Sequence, residues 1–114
     1  MSTAVATFPA GPPATSCGAP PTALDSSLDV ERIAVLAKAL AEPLRVSLLD
    51  VLRRHGEPLC QCQLMPLFDV PQSTLSHHIN KLVDAGLVTV ERRHRWAYYS
   101  IAPDTFEELS AWLS

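Results

Sequence analysis

From Leu28 onward, apolar residues recur at helical spacing. Val30, Ile33, Ala34, Ala37, Leu40 and Ala41 fall three and four apart, which predicts an amphipathic helix capped by Asp29. Pro43 stops that helix and suits the first turn of a second. The second runs over about 43–54, with Leu44, Val46, Leu48, Leu49, Val51 and Leu52 mostly inward, and His55-Gly56 ends it. A short third helix is predicted over about 60–68. Pro71 opens a fourth over about 71–85, with Leu75, Ile79, Leu82 and Val83 inward and Ala85-Gly86 closing it. The period then switches to two. Leu87, Val88 and Val90 form one strand and residues 97–101 another, with a polar turn from Glu91 to Arg95 between them. A last helix starts at Pro103 or Asp104 and lays Phe106, Leu109, Trp112 and Leu113 on one stripe. The fold class is mainly α with a small β-hairpin. The third and fourth helices make a helix-turn-helix and the hairpin makes its wing, a winged helix-turn-helix.

The segment before Leu28 reads differently. Residues 1–27 hold Pro9, Pro12, Pro13, Pro20 and Pro21 among Ala, Thr, Ser and Gly, too little apolar surface to offset the entropy of ordering. They are expected to form a flexible arm, and the arm carries Cys17. Residues 28–114 are then one winged helix-turn-helix domain. With 47% hydrophobic residues in 114, the chain has material for one small core, to which a dimer would add burial. No apolar run is long enough for a membrane span. No Lys or Arg precedes Arg32 and no apolar signal core is present, so a cytoplasmic location is expected.

The net charge of −3 argues weakly against DNA, but its distribution does not. Residues 70–100 place Lys81, Arg92, Arg93 and Arg95 against only Asp84 and Glu91, and hold His77, His78 and His94 as well. That basic face fits double-stranded DNA; a solvated surface is the plainer alternative. In a helix-turn-helix the second helix enters the major groove with its N-terminal residues on base edges. Here those are Gln72, Ser73 and Thr74, followed by Ser76, His77, His78 and Lys81. Gln suits adenine, and Ser or Thr suit several bases and phosphates. Ser73, His77 and Lys81 share a stripe away from Leu75, Ile79 and Leu82. Adjacent histidines point about 100° apart on a helix, which disfavours joint chelation. Arg92, Arg93 and Arg95 at the wing tip suit phosphates or a minor groove.

Cys60 and Cys62 form a Cys-x-Cys pair about ten residues before the DNA-reading helix. An odd number of cysteines argues against a disulfide framework, leaving metal binding or burial as a small apolar residue. Soft thiolates select soft ions, so Cd, Pb, Cu(I) and Zn are open, as is oxidation of a close dithiol. Both cysteines stand at the start of the predicted third helix, where residues two apart point about 200° from each other. One ion would then have to unwind the start of the third helix to bind both.

The chain resembles the ArsR/SmtB family of metal-sensing winged-helix repressors over about Ile33 to Trp112. The resemblance rests on Ala39-Leu40-Ala41-Glu42-Pro43-Leu44-Arg45, Gln72-Ser73-Thr74-Leu75-Ser76-His77-His78-Ile79, Leu82-Val83-Asp84-Ala85-Gly86-Leu87-Val88 and Arg95-Trp96-Ala97-Tyr98-Tyr99. It implies a repressor that binds a pseudo-palindromic operator as a homodimer built on the first and last helices. Ile33, Leu36, Leu40, Phe106, Leu109, Trp112 and Leu113 would be at that interface. Pro58-Leu59-Cys60-Gln61-Cys62-Gln63-Leu64 is similar to the Leu-Cys-x-Cys-Asp-Leu box of the family's arsenic sensors, whereas zinc and cadmium sensors usually keep one cysteine there. The family's last-helix zinc site needs histidine, and residues 103–109 hold none. Members with this box often carry a third cysteine where Met65 stands, which leaves Cys17 as the replacement. Cys17, Cys60 and Cys62 would then bind As(III) or Sb(III) as inducer through three thiolates, with no organic cofactor. An enzyme is not expected, since there is no Cys-x-x-Cys and no phosphate-cradling Gly loop. A winged-helix protein–protein module fits the Gln-Ser-Thr start of the fourth helix and the Arg-rich wing less well.

Overall fold

In a computed structural model, the chain is described at Gly18 and over residues 30–114. Cys17, the rest of the proline-rich segment and the Asp29 cap lie outside the described residues. Helix α1 spans Val30–Ala39, and Ile33, Leu36 and Ala39, three residues apart, are its buried stripe. Helix α2 spans Pro43–His55, with Pro43 in its first turn. Gly56 closes it in the left-handed region at φ 79, donating its N–H to the Leu52 carbonyl.

A two-residue strand β1, Leu59–Cys60, leads directly into a single-turn helix α3, Gln61–Leu64, which tightens into a 3-10 turn at Met65–Leu67. The recognition helix α4 spans Gln72–Asp84. Strands β2, Val88–Arg93, and β3, Trp96–Ile101, make the wing, and α5 covers Pro103–Leu113. The sheet is antiparallel in the order β1-β3-β2. Val88 pairs with Ile101 at its base and Arg93 with Trp96 at its tip, while Leu59 and Cys60 pair with Tyr99 and Tyr98. Leu36, Leu48, Leu64, Leu75, Leu82 and Leu87 are fully buried, so α1, α2, α3, α4 and the root of the wing share one core.

The third helix is shorter than the 60–68 expected. Cys60 lies in the strand with an extended backbone, φ −84 and ψ 164, before the helix begins. Pro66 lacks the N–H that would donate to the Cys62 carbonyl, so the α-helix does not continue past Leu64. The wing turn is also tighter than expected. The strands run on to Arg93 and resume at Trp96, and His94 turns the chain at φ 58, a left-handed conformation histidine tolerates better than most residues. Val46, expected inward, is exposed.

Arg32 ties α1 to the far end of the recognition helix. Its guanidinium donates to the Ala85 carbonyl at 3.1 Å and to Thr105 Oγ1 at 3.5 Å, and pairs with Glu108 at 3.4 Å. A cation there complements the partial negative charge at the C-terminus of α4. Thr105, buried in α5, donates to the Gly86 carbonyl at 2.7 Å. Gly86 sits at φ 84, and a Cβ on it would come within 3.3 Å of the Arg32 guanidinium. The C-terminal end of α4 is thus fastened to α1 and α5.

Candidate nucleic-acid interface and thiol site

The recognition helix presents its polar stripe as the periodicity predicts. Gln72, Ser73, His77 and Lys81 are exposed, while Leu75, Ile79 and Leu82 point into the core. Thr74, Ser76 and His78 are half-buried. The two histidines diverge as neighbours on a helix must, their rings meeting edge-on at 71° with centroids 5.4 Å apart. His78 is tucked inward with its Nδ1 buried and without a hydrogen-bond partner among the described residues, so His77 is the member of the pair open to solvent.

In the wing, Arg92, Arg93 and Arg95 are all exposed. Arg93 is engaged within the hairpin, paired with Glu91 at 3.0 Å and stacked over Tyr98 at 4.9 Å. The hydrogen bond to Glu91 pushes its guanidinium further above the usual arginine range. Arg92 and Arg95 instead face a cleft of about 560 Å³ between the wing and the helix-turn-helix. Its lining brings together Cys60, Gln61, Cys62, Met65, Gln72, Arg92, Arg95, Trp96, Ala97 and Tyr99.

The cysteine pair is therefore a wall of the same cleft that holds two wing arginines and the first residue of the recognition helix. Cys60 is buried at 5% exposure, whereas Cys62 is exposed to solvent. Their Cα atoms are 5.4 Å apart and their sulfurs are in bonding contact as a Cys60–Cys62 disulfide. This corrects two expectations. The pair is not divergent, because Cys60 stands in extended backbone ahead of the helix and only Cys62 is helical. The sulfurs converge with α3 intact, so no unwinding is needed to bring them together. The odd cysteine count had also argued against a disulfide, yet a spacing of two with one residue extended falls within the Cα separation a bridge requires.

Gln63 helps fix the turn, its side-chain oxygen accepting from the Cys60 N–H at 2.9 Å. Gln61, between the two cysteines, reaches the other way. Its amide donates to Ser76 Oγ at 2.7 Å and to the Gln72 carbonyl at 3.4 Å. Ser76 thus faces α3. Among the described residues, no group of three His, Cys, Asp or Glu assembles around one point. A third thiolate beside Cys60 and Cys62 would have to be Cys17, outside the described residues; Met65 brings only a thioether to the cleft.

A second cleft, of about 330 Å³, runs along the other flank of the recognition helix. Lys38 of α1 and Arg45 of α2 join His77 and Lys81 there, with Asp84 as the one carboxylate of its lining among the described residues, where the buried Arg45 Nε also has no hydrogen-bond partner. Lys38, Arg45 and Gln61 were not singled out from the sequence. Lys38 and Arg45 lie more than thirty positions before Lys81, and only the packing of α1 and α2 beside α4 groups them.

A third groove, of about 510 Å³, is lined by apolar residues. Val30, Ile33, Ala34, Ala37 and Leu40 of the first helical segment face Leu109, Trp112 and Leu113 of α5 across it. Val30 is 70% exposed, Trp112 45% and Leu113 69%, a large apolar face for one protomer to leave in water. Of the interface residues expected from the sequence, Ile33, Leu40, Leu109, Trp112 and Leu113 line this groove. Leu36 does not: at 0% exposure it is spent in the protomer's own core and has no surface for a partner. Phe106 likewise packs half-buried against the core.

Comparison with known proteins places this arrangement. Residues 42–90 match the model of the bacterial regulatory proteins of the arsR family. An arsenical resistance operon repressor of Bacillus subtilis is 41% identical over 64 residues, 56% of this chain and 60% of that protein. One of Staphylococcus xylosus is 36% identical over 74 residues, 65% of this chain and 69% of that protein. A Staphylococcus aureus homologue of a cadmium resistance regulator is 30% identical over 77 residues, 68% of this chain and 63% of its own length. Among solved structures, an ArsR family transcriptional regulator superposes with a TM-score of 0.67 at 28% identity, over 75% of this chain and 87% of that one. A homodimeric winged helix-turn-helix domain from Mycobacterium bovis, described as a possible ArsR-family regulator, gives a TM-score of 0.62 at 25% identity, covering 74% of this chain and 77% of that one. The chain belongs to the ArsR family of bacterial transcription regulators, with the winged helix-turn-helix of its relatives.

Proposed function

We propose that the chain is a repressor that binds a pseudo-palindromic operator as a homodimer and releases it when its cysteines bind trivalent arsenic or antimony. One observation carries this reading: Cys60 and Cys62 converge on a cleft whose remaining walls include Gln72, Arg92 and Arg95. A bond formed at the sulfurs alters the same space that the wing and the recognition helix share. The relatives named for arsenical resistance support the choice of inducer. Cys17, delivered by an N-terminal arm, would complete three thiolates.

DNA contact divides by chemistry. Gln72, Ser73 and Thr74 read base edges from the helix N-terminus, with Ser76 positioned behind them and His78 facing inward. His77, Lys81, Arg92, Arg93 and Arg95 meet phosphates or the minor groove, and Lys38 and Arg45 extend that contact along the flank of α4. The apolar groove between α1 and α5 closes against its copy in a second protomer. Arg32 fastens α1 and α5 to the end of α4, so the spacing of the two recognition helices follows from the dimer. No helix among the described residues is long and apolar enough to cross a membrane, and the proposed site of action is the cytoplasm.

The inducer has to favour the DNA-free form, since an effector shifts an equilibrium only by its differential affinity. Operator anisotropy of the reduced protein, titrated with arsenite, antimonite, cadmium and peroxide, tests the reading. Release at the lowest arsenite or antimonite concentrations supports it, and unchanged operator affinity at saturating arsenite refutes it. A second reading has its own observation. The Cys60–Cys62 bonding contact favours a dithiol that answers oxidation, and release by peroxide, reversed by a dithiol reductant, would establish it.

A further inference from the structure

We infer that Gln61 is the positioning residue that carries the state of the cysteine pair to the DNA-reading end of the recognition helix. The inference deepens the proposed function and rests on it. Gln61 is the first residue of α3 and is bonded in the chain to both Cys60 and Cys62. From the wall of the thiol cleft its side chain donates to two points on α4, Ser76 Oγ at 2.7 Å and the Gln72 carbonyl at 3.4 Å. Among the described residues, no other side-chain hydrogen bond joins α3 to α4.

Both acceptors belong to the end of α4 that enters the groove. Gln72 is the first residue of the helix and Ser76 lies one turn on, on the side away from His77. The contact is short and directional, so it tolerates little movement. A displacement of the Gln61 backbone by about 1 Å stretches the Ser76 bond past the distance at which a hydrogen bond holds. Cys62, its neighbour, is the exposed member of the pair. Cys60, its other neighbour, is held by the Gln63 side chain and by pairing with Tyr98, so the movement falls on the Gln61–Cys62 side. The contact is recorded with the two sulfurs bonded to each other, and an ion bonded to both holds them further apart, so with Cys60 fixed the spreading displaces Cys62 and the Gln61 beside it, which steadies Gln72.

The coupling can be separated from the binding of either ligand. Operator affinity is measured with and without saturating arsenite in reductant, on wild type, Gln61→Leu and Gln61→Glu, alongside the arsenite stoichiometry of each. Wild type is expected to lose operator affinity by a factor within the usual allosteric range, about 5- to 150-fold. Gln61→Leu keeps the arsenite stoichiometry and the helix content, but arsenite changes its operator affinity by less than about threefold, well under that range. Gln61→Glu still accepts from the Ser76 hydroxyl and retains part of the response. A purely structural role would move the affinity of the arsenite-free protein and leave the ratio unchanged. Wild type responding and Gln61→Leu responding equally overturns the link alone. A wild type indifferent to arsenite overturns the functional reading, and the link falls with it.

Discussion

Lys38 and Lys81 belong to different helices, far apart in the chain, yet line the same cleft beside the recognition helix. If that flank lies over the phosphate backbone, replacing Lys38 by Gln removes one phosphate contact per protomer. A dimer carries the change twice. Each contact contributes about 0.9 to the slope of log affinity against log salt, so the slope should flatten by about 1.8. Over a rise from about 50 mM to about 200 mM salt, that amounts to about tenfold less loss of affinity than wild type suffers. Lys38 is exposed and makes no side-chain hydrogen bond or ion pair among the described residues, so folding should be unaffected. Operator binding by anisotropy across a salt series gives the slope directly. Lys81→Gln, on the recognition helix itself, is the reference and should flatten the slope by the same amount. A Lys38→Gln slope that matches wild type while Lys81→Gln flattens would refute the phosphate assignment for that flank.

Other consequences follow from single residues. Gly56→Ala forces a Cβ into left-handed backbone at the end of α2 and should cost about 1 kcal/mol, lowering the melting temperature by about 4–8 °C. Leu64→Ala empties a fully buried position beneath the thiol cleft and should cost about 2–5 kcal/mol in chemical denaturation. Leu113→Glu places a charge in the apolar groove between α1 and α5; sedimentation should show monomers, and operator affinity should fall with the dimer.

The helices were legible where punctuation is local. Pro43 and Gly56 bracket α2 within a residue of the sequence reading, and the stripe of Leu75, Ile79 and Leu82 gives both the length of α4 and the face it turns to the core. Strand β1 was not legible. Two residues carry no alternation, and Leu59 and Cys60 become a strand only because Tyr98 and Tyr99 arrive beside them from much later in the chain. That pairing holds Cys60 out of the helix, which is why the divergence expected of two helical cysteines does not occur. Leu36 illustrates another limit. Periodicity marks the apolar side of α1 but cannot divide it between the protomer's own core, which takes Leu36, and the groove, which takes Ala34 and Ala37. Gln61 carries no signal in the sequence, and its reach to Ser76 is a tertiary contact with no local signature.

The most direct test of the central claim is arsenic X-ray absorption on the reduced protein loaded with arsenite, comparing wild type with Cys62→Ser and Cys17→Ser. The account predicts arsenic surrounded by three sulfurs in wild type and fewer in each variant, with operator release lost in Cys62→Ser. Arsenic that fails to bind, or a sulfur shell unchanged by Cys62→Ser, would contradict it.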